Sequence, residues 1–200
     1  MSRFPQQDWI AFLVWGGVTL VWAWFAVVFL FRKHSSGREE TSRDSRSILG
    51  IVLQAVGFAI ISAVHRPYYS PLFPMPVWLE TLLGFATVAL AFFSTWFAAS
   101  AVRTLGKQWA YAARLVEGHQ LITEGPYRRV RNPIYSGMLG MLIATGLAVA
   151  RGIAFLPALV FFGLGTWIRV TSEEKLLRGA FGPKFDDYAR RVPAVLPRIF

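Results

Sequence analysis

The chain has 200 residues, of which 54% are hydrophobic and 16% aromatic, and its mean hydropathy is +0.44. One soluble core of this length cannot bury so much apolar surface, so a large part of it must face lipid. The formal net charge of +10 comes from basic residues that fall between long uncharged segments, which argues against nucleic acid as a partner. Without cysteine, and with His34, His65 and His119 in separate loops, the chain is predicted to hold no metal.

Five apolar segments follow one another along the chain. A bilayer core roughly 30 Å thick takes about 20 helical residues, because a backbone in lipid must satisfy its own hydrogen bonds. On this measure we predict membrane-spanning helices at residues 9–31, 48–64, 77–102, 134–150 and 153–168. The first is too long for a cleaved signal peptide and is followed by Arg32 and Lys33, so we expect it to be retained. The last two are separated only by Arg151 and Gly152, which predicts a tight helical hairpin.

The basic residues are distributed unevenly among the segments between these spans. Eighteen of the 21 Lys and Arg residues follow the first, third and fifth spans. Positive residues near span ends stay in the cytoplasm, so we predict an external N-terminus and a cytoplasmic C-terminus. The expected location is the inner membrane of a prokaryotic cell or the endoplasmic reticulum of a eukaryotic one. The polar segment 35–47 has no hydrophobic periodicity and predicts a mobile cytoplasmic loop.

The predicted fold is therefore an all-α, polytopic integral membrane protein with about five transmembrane helices and a cytoplasmic C-terminal segment. Residues 1–103 supply the first three helices. Residues 104–200 supply a long loop, the helical hairpin and the C-terminal segment. We expect both parts to form one structural domain.

The loop between the third and fourth spans contains the most informative residues. Gly125-Pro126 predicts a turn, and Asn132-Pro133 places an N-cap residue before a proline at the first helical position. The start of this helix favours an anionic group such as a carboxylate or a phosphate. Nearby basic residues strengthen that preference; they are Arg128, Arg129 and Arg131. An alternative of equal weight is that Asn-Pro only starts a helix and the arginines only follow the positive-inside rule.

A second polar cluster follows the fifth span. Glu173 lies four residues after Arg169, so both side chains share one helical face and can form part of one pocket wall. For Glu174 we expect a solvated helix end with an ion pair to Arg178 at the same spacing.

Together these residues resemble the isoprenylcysteine carboxyl methyltransferases and the related phospholipid N-methyltransferases, over roughly residues 104–200. That family has a Gly-x-Tyr…Arg-His-Pro-x-Tyr-x-Gly signature before a membrane hairpin, a Glu-Glu pair after it, and an aromatic tail ending in Val-Pro…Pro. The matching positions here are Gly125, Tyr127, Arg131, Pro133, Tyr135, Gly137, Glu173, Glu174, Phe181, Gly182, Tyr188, Val192, Pro193 and Pro197. Asn132 replaces the family histidine and Phe185 replaces a usual tyrosine, so no group at position 132 titrates near neutral pH.

The resemblance implies a methyltransferase that uses S-adenosylmethionine and has no Rossmann domain. It implies cofactor contacts at His119, Gln120, Leu121, Ile122, Tyr127, Asn132, Pro133, Ile134, Tyr135 and Glu173. It also implies Arg169 and Glu173 as catalytic residues, with Arg169 facing the methyl acceptor. The implied partner is a lipophilic small molecule or a lipidated acceptor that enters from the surrounding membrane lipids.

The sequence is compatible with four functions. The carboxylate of an isoprenylcysteine-like substrate, or another lipid, is the expected acceptor, and a phospholipid amine is a second candidate acceptor. An amine would need a base, for which the sequence offers Glu173, Glu174 or His119. The chain could also be a sterol-reductase-like enzyme that binds NADPH, or a non-catalytic membrane interaction protein. The sequence does not specify an oligomeric state.

Overall fold

The computed structural model describes residues 5–30, 40–67, 70, 75–111, 113–116 and 118–197. The helices within these residues are α1 (Pro5–Leu30), α2 (Arg46–Ala63), α3 (Val77–Leu105), α4 (Pro133–Val149), α5 (Phe155–Phe181) and α6 (Pro183–Arg191). Two short strands complete the regular structure, β1 (Glu40–Arg43) and β2 (Arg114–Val116). Single 3-10 turns occupy Gly106–Gln108, Gly125–Arg128 and Gly152–Ala154.

All five predicted apolar segments are helical, which confirms a multi-pass, all-α membrane protein. Four helical segments are long and apolar enough to cross a membrane, and they are Trp9–Leu30, Arg46–Ala63, Val77–Gln108 and Gly152–Phe181. Helix α4 is equally apolar but has only 17 residues. A helix of that length can still cross, since a bilayer thins locally around a short span.

The helix of the fifth span extends beyond the apolar segment 153–168, as the predicted shared helical face of Arg169 and Glu173 requires. Helix α5 continues without a break to Phe181, so Arg169 and Glu173 lie on the spanning helix itself. Hydropathy falls after residue 168 because the side chains leave the apolar environment, while Glu, Lys, Leu and Arg still favour a helix. The helix ends where Gly182 adopts a positive φ of 50° and Pro183 begins α6.

Close contacts between small residues determine which helices pack together, because lipid gives apolar side chains no reason to associate. A Cβ atom on Gly165 of α5 would lie 2.6 Å from the carbonyl oxygen of Gly50 on α2. A Cβ atom on Gly137 of α4 would lie 2.6 Å from the carbonyl oxygen of Ser94 on α3. As a result α5 packs mainly against α2, and α4 packs mainly against α3.

The predicted hairpin of the fourth and fifth spans has the expected connection but not the expected packing. Residues 150–154 join α4 to α5 through one short 3-10 turn. The two helices nevertheless share few contacts along their length. Each pairs instead with a helix whose glycine or small residue admits a closer backbone approach.

Strand β1 pairs antiparallel with β2, with Ser42 opposite Leu115 and Arg43 opposite Arg114. The prediction of a mobile loop at 35–47 is therefore wrong for residues 40–43, and residues 35–39 lie outside the described part of the chain. Isolated two-stranded ribbons have little stability of their own. This ribbon is supported at its end by Ser47, whose hydroxyl accepts the Ala113 N–H at 3.2 Å. It connects the first long loop to the loop that precedes α4.

Candidate functional site

A cavity of about 530 Å³ lies at the end of the bundle that carries the loop 106–132 and α6. Ligand sites typically occupy roughly 300–1,000 Å³, so this cavity has the size of a binding pocket. Residues from all six helices line it, together with loop residues between 108 and 132. One part of its wall is polar and lies between α4 and α5. The other part is aromatic and lies between α1 and α2.

The cavity brings together all but one of the residues that the sequence singled out for the cofactor. The lining includes His119, Gln120, Leu121, Ile122, Tyr127, Asn132, Ile134, Tyr135, Glu173 and, for the acceptor, Arg169. The exception is Pro133, which is fully buried at the first position of α4 and is absent from the lining. Its rigid φ fixes where the helix begins and thereby where Tyr135 projects.

Tyr135, Glu173 and Arg169 form a connected cluster on the polar wall. The Tyr135 hydroxyl donates a hydrogen bond to Glu173 Oε1. Arg169 Nη2 lies 3.9 Å from the same oxygen, and the Arg169 guanidinium carbon lies 4.8 Å from the centre of the Tyr135 ring. The predicted common wall for Arg169 and Glu173 is confirmed, and Tyr135 completes it from the opposite helix. The cluster presents one cation, one carboxylate and an aromatic face to a single cavity.

Arg169 is held by two further elements. Its Nη1 donates to Gln54 Oε1 on α2 at 3.0 Å, and its Nη2 donates to the Tyr111 carbonyl oxygen. A guanidinium has five N–H donors, so three remain for other partners. Gln54 also donates from Nε2 to Thr166 Oγ1 at 2.9 Å.

The prediction for Glu174 is wrong. Its carboxylate does not extend into solvent toward Arg178, and its side chain is only 14% exposed. Arg131 Nε donates to Glu174 Oε1 at 2.9 Å, and Asn132 Nδ2 donates to the same oxygen at 3.3 Å. Arg178 instead pairs with Asp186 of α6 at 2.8 Å. Glu174 pairs with Arg131 rather than with Arg178 because the pair with Arg131 is shielded from water. A pair with Arg178 on the helix surface would be weakened by solvent and salt.

Asn132 is the N-cap residue of α4, as predicted, but its side chain makes no capping hydrogen bond. Its amide group donates to Glu174 and to the Ala194 carbonyl oxygen. The C-terminal segment also accepts the backbone N–H groups of Arg131 and Asn132, at 2.8 and 2.9 Å, through Pro193 and Ala194. The carboxylate that lies near this helix start is therefore the chain's own Glu174.

The three arginines that the sequence placed around this helix start do not act together. Arg131 is engaged by Glu174 and by the Ala189 and Val192 carbonyl oxygens. Arg128 and Arg129 are exposed. Their contribution to the site is thus a long-range positive field, which salt screens.

Two buried tyrosines support the wall beneath α6. Tyr188 donates its hydroxyl to the Tyr127 carbonyl oxygen at 2.7 Å. Burial raises the pKa of Tyr188 to about 12, and burial raises the pKa of Tyr127 well above its usual range, with the Glu173 carboxylate as a smaller cause. Both rings therefore stay neutral at physiological pH. Phe185, which stands where the resembled family has tyrosine, is fully buried and lines the same cavity.

Sequence reasoning missed the half of the cavity that α1 and α2 provide. Its aromatic arm is lined by Trp22, Phe25, Phe29 and Phe58. Aromatic residues in a span can also face lipid, so no sequence signal distinguishes these four. Gln54 did have a signal, because an uncharged polar residue inside an apolar span is costly unless it has a partner or a function.

Comparison with known proteins gives one family match. The model of a family described as phospholipid methyltransferase matches residues 81–184, which is more than half of the chain. This region contains α4, α5 and the whole polar wall of the cavity. Helices α1 and α2 lie outside it.

Individual relatives match about half of the chain or more. A protein-S-isoprenylcysteine O-methyltransferase B from Arabidopsis thaliana is 31% identical over 49% of this chain and 51% of its own length. A protein-S-isoprenylcysteine O-methyltransferase from Schizosaccharomyces pombe is 26% identical over 70% of this chain and 58% of its own. The cobalt-zinc-cadmium resistance protein CzcN of Cupriavidus metallidurans is 36% identical over 48% of this chain and 44% of its own. The chain thus spans about half the length of the curated relatives it matches.

Proposed function

Since this chain belongs to the phospholipid methyltransferase family, we propose that it transfers a methyl group from S-adenosylmethionine to the carboxylate of a lipophilic, isoprenylcysteine-like acceptor. One observation carries the proposal. The cavity joins a polar wall, with Arg169, Glu173 and Tyr135, to an aromatic arm that lies within the membrane-spanning helices. A molecule with a charged head and an apolar tail fits both parts at once.

The polar wall offers groups that suit the charges of S-adenosylmethionine. Glu173 supplies a carboxylate for the ammonium group, and the neutral rings of Tyr127 and Tyr135 supply faces for a cation or for adenine. Residues 119–122 line the cavity outside any helix or strand, and the Gln120 N–H already donates to Gln108 Oε1. The backbone groups of Leu121 and Ile122 can bind the edge of an adenine ring.

Arg169 suits an acceptor carboxylate. Its planar guanidinium keeps three N–H donors beyond those given to Gln54 and Tyr111, and it lies at the boundary between the polar wall and the aromatic arm. A carboxylate bound there lies on the same side of the cavity as Glu173. The apolar tail then extends between Trp22, Phe25 and Phe58.

Methyl transfer to a carboxylate needs little help from an acid or a base. S-adenosylmethionine supplies an electrophilic methyl group, whose bond to sulfur breaks as a bond to the acceptor oxygen forms. The chain's residues align the two molecules and exclude water, because a small displacement of a reacting atom slows such a transfer greatly. Arg169 holds the acceptor oxygen, and Glu173 with Tyr135 holds the donor side.

An amine acceptor fits this site less well. A protonated amine would meet the positive charge of Arg169 and would have to lose a proton to a base. Glu174, one of the bases that the sequence offered, already accepts hydrogen bonds from Arg131 and Asn132. Glu173 and His119 are the remaining bases on the cavity wall.

The test is methyl transfer by the full chain in detergent or in lipid nanodiscs. We expect labelled methyl to pass from S-adenosylmethionine to N-acetyl-S-farnesylcysteine, and S-adenosylmethionine to bind in calorimetry while NADPH does not. Binding of NADPH alone would favour a reductase, and binding of neither would favour a non-catalytic protein.

Arg169→Lys is the matched variant, because it keeps the charge and loses the planar fork. We expect turnover to fall sharply with S-adenosylmethionine affinity unchanged. Parental values for both quantities would reject the acceptor role and leave Arg169 as an anchor at the membrane interface. A parallel loss of both would place Arg169 against the cofactor.

A further inference from the structure

Gln54 is a polar residue in the middle of the apolar helix α2, and its side chain is almost fully buried. Both ends of its amide group have partners on α5. Its Oε1 accepts from Arg169 Nη1 at 3.0 Å, and its Nε2 donates to Thr166 Oγ1 at 2.9 Å. A buried amide with both ends bonded has one orientation, so the position of the Gln54 side chain between α2 and α5 is fixed.

The contact between α2 and α5 places Gln54 beside Arg169. A Cβ atom on Gly50 would overlap Arg169 Cγ, and one on Gly165 would lie 2.8 Å from the Gln54 backbone nitrogen. The glycines therefore let the Arg169 side chain pass over α2 and reach Gln54 at hydrogen-bond distance. No other residue of α2 in the described chain hydrogen-bonds to Arg169.

The Arg169 guanidinium needs such a partner. An arginine on a membrane helix turns toward the interface when nothing holds it, because its long side chain carries the charge to water. Gln54 pulls Nη1 toward the bundle interior, while the Tyr111 carbonyl and the Tyr135 ring fix the other sides of the group. The guanidinium is thereby kept on the cavity wall.

We infer that Gln54 is a positioning residue that holds the Arg169 guanidinium toward the acceptor carboxylate, so that α2 contributes to acceptor binding. This inference rests on the proposed function. It extends the site into a helix outside residues 81–184, the region that matches the family model. Gln54 acts through Arg169 and takes no part in binding S-adenosylmethionine.

The test compares Gln54→Met, an unbranched apolar replacement, with two other variants. Thr166→Val removes only the second bond of Gln54. Thr95→Val is the matched control, since it removes a buried bond between membrane helices, from Thr95 to Met141 of α4, and Thr95 is absent from the cavity wall. All three are assayed with N-acetyl-S-farnesylcysteine and S-adenosylmethionine in one lipid preparation.

For Gln54→Met we expect kcat/KM for the acceptor to fall roughly 10- to 100-fold, the change that loss of one hydrogen bond to a charged group produces. The dissociation constant for S-adenosylmethionine should stay at its parental value. Thr166→Val should show a smaller fall, and Thr95→Val none. Equal acceptor kinetics in Gln54→Met and the parent would overturn the inference. So would an equal loss in Gln54→Met and Thr95→Val, because that pattern reflects loosened helix packing.

A second readout needs no turnover. In protein with ¹⁵N-labelled arginine, the Arg169 guanidinium resonance is identified by its loss in Arg169→Lys. Gln54→Met should speed hydrogen exchange and rotation of that group, and Thr95→Val should leave both unchanged. If the parent chain transfers no methyl group, the proposed function fails, and this measurement still decides the role of Gln54. Unchanged exchange in Gln54→Met would reject it.

Discussion

At the scale of single residues, the hydroxyl of Tyr135 is the group that connects α4 to Glu173. It donates to Glu173 Oε1, and the Arg169 guanidinium lies over the face of the Tyr135 ring. Tyr135→Phe removes the hydroxyl and keeps the ring. We expect the affinity for S-adenosylmethionine to fall by about 1–2 kcal/mol, because Glu173 loses a donor that fixes its orientation.

A double-mutant cycle with Glu173→Gln isolates this contact. Both single variants should weaken cofactor binding in calorimetry, and Glu173→Gln should weaken it more, since it removes the charge that meets the ammonium group. The double variant should lose less than the sum of both, by roughly 0.5–3 kcal/mol. Strict additivity would show that Tyr135 does not act through Glu173.

Glu174 gives a prediction about stability. Its pair with Arg131 is mostly shielded, and Arg131 also bonds the Ala189 and Val192 carbonyl oxygens of the C-terminal segment. We expect Glu174→Ala to lower the free energy of unfolding by about 3 kcal/mol, the lower end of the range for breaking a buried pair. Thermal unfolding in detergent measures this loss.

Asp186→Ala is the matched control for Glu174→Ala. It breaks the pair with Arg178, whose side chains are 53% and 47% exposed, so the cost should be about 1 kcal/mol or less. A Glu174→Ala variant that is as stable as this control but binds the cofactor more weakly would show that Glu174 contributes to cofactor binding and not to stability.

At the scale of helices, the contact of α2 with α5 depends on Gly165. An added Cβ would meet the Gly50 carbonyl oxygen at 2.6 Å, and a backbone atom cannot move aside cheaply. Gly165→Ala should therefore cost about 1–3 kcal/mol through overpacking. Gly163 lies two residues earlier on the same helix with nothing within 4 Å of its added Cβ. Gly163→Ala should leave the unfolding temperature equal or higher, because alanine favours a helix.

If both glycine variants unfolded at the same temperature, the close approach of α2 and α5 would not be what holds them together. A loss of methyl transfer in Gly165→Ala without a loss of stability would have a different meaning. It would indicate that the contact serves mainly to bring Gln54 to Arg169.

The helices could be predicted well from the sequence, because lipid requires long, internally bonded apolar segments and hydropathy detects them. Hydropathy located only the apolar part of α5, residues 153–168, since it reports the environment of a helix and not its length; the end of the helix at Phe181 came from the structure. Glu174 was assigned a local partner, whereas Arg131 is 43 positions away in the chain. A rule of helical spacing cannot reach such a partner. The residues of the polar wall could be predicted from a sequence motif, whereas no motif indicated the aromatic arm.

At the scale of the whole molecule, the two halves of the chain have different roles at one cavity. The half that matches the family model supplies the polar wall with Tyr135, Glu173 and Arg169. The other half supplies the aromatic arm and Gln54. On the proposed function, the donor side of the cavity belongs to the half that matches the family model, and the acceptor site also includes residues of the first two helices.

Orientation in the membrane is also a property of the whole molecule. Eighteen of the 21 Lys and Arg residues follow the first, third and fifth spans in the sequence, and the loop 106–132 and α6 lie at the end of the bundle that holds the cavity. Of the remaining three, Arg66 caps α4 by donating to the Leu147, Ala148 and Ala150 carbonyl oxygens. Arg66 thus serves to bind the carbonyl oxygens at the end of α4, and its presence does not weaken the uneven distribution of basic residues that predicts the orientation.

We therefore expect a reporter fused after Phe200 to read cytoplasmic, and reporters fused before Met1 or after Pro67 to read external. The fusion after Pro67 is the internal control, because it tests the second span independently of the last three. S-adenosylmethionine is a polar molecule that does not cross a bilayer unaided, so the cavity must open to the compartment that contains it. A C-terminal reporter on the external side would contradict both the charge argument and the proposed cofactor.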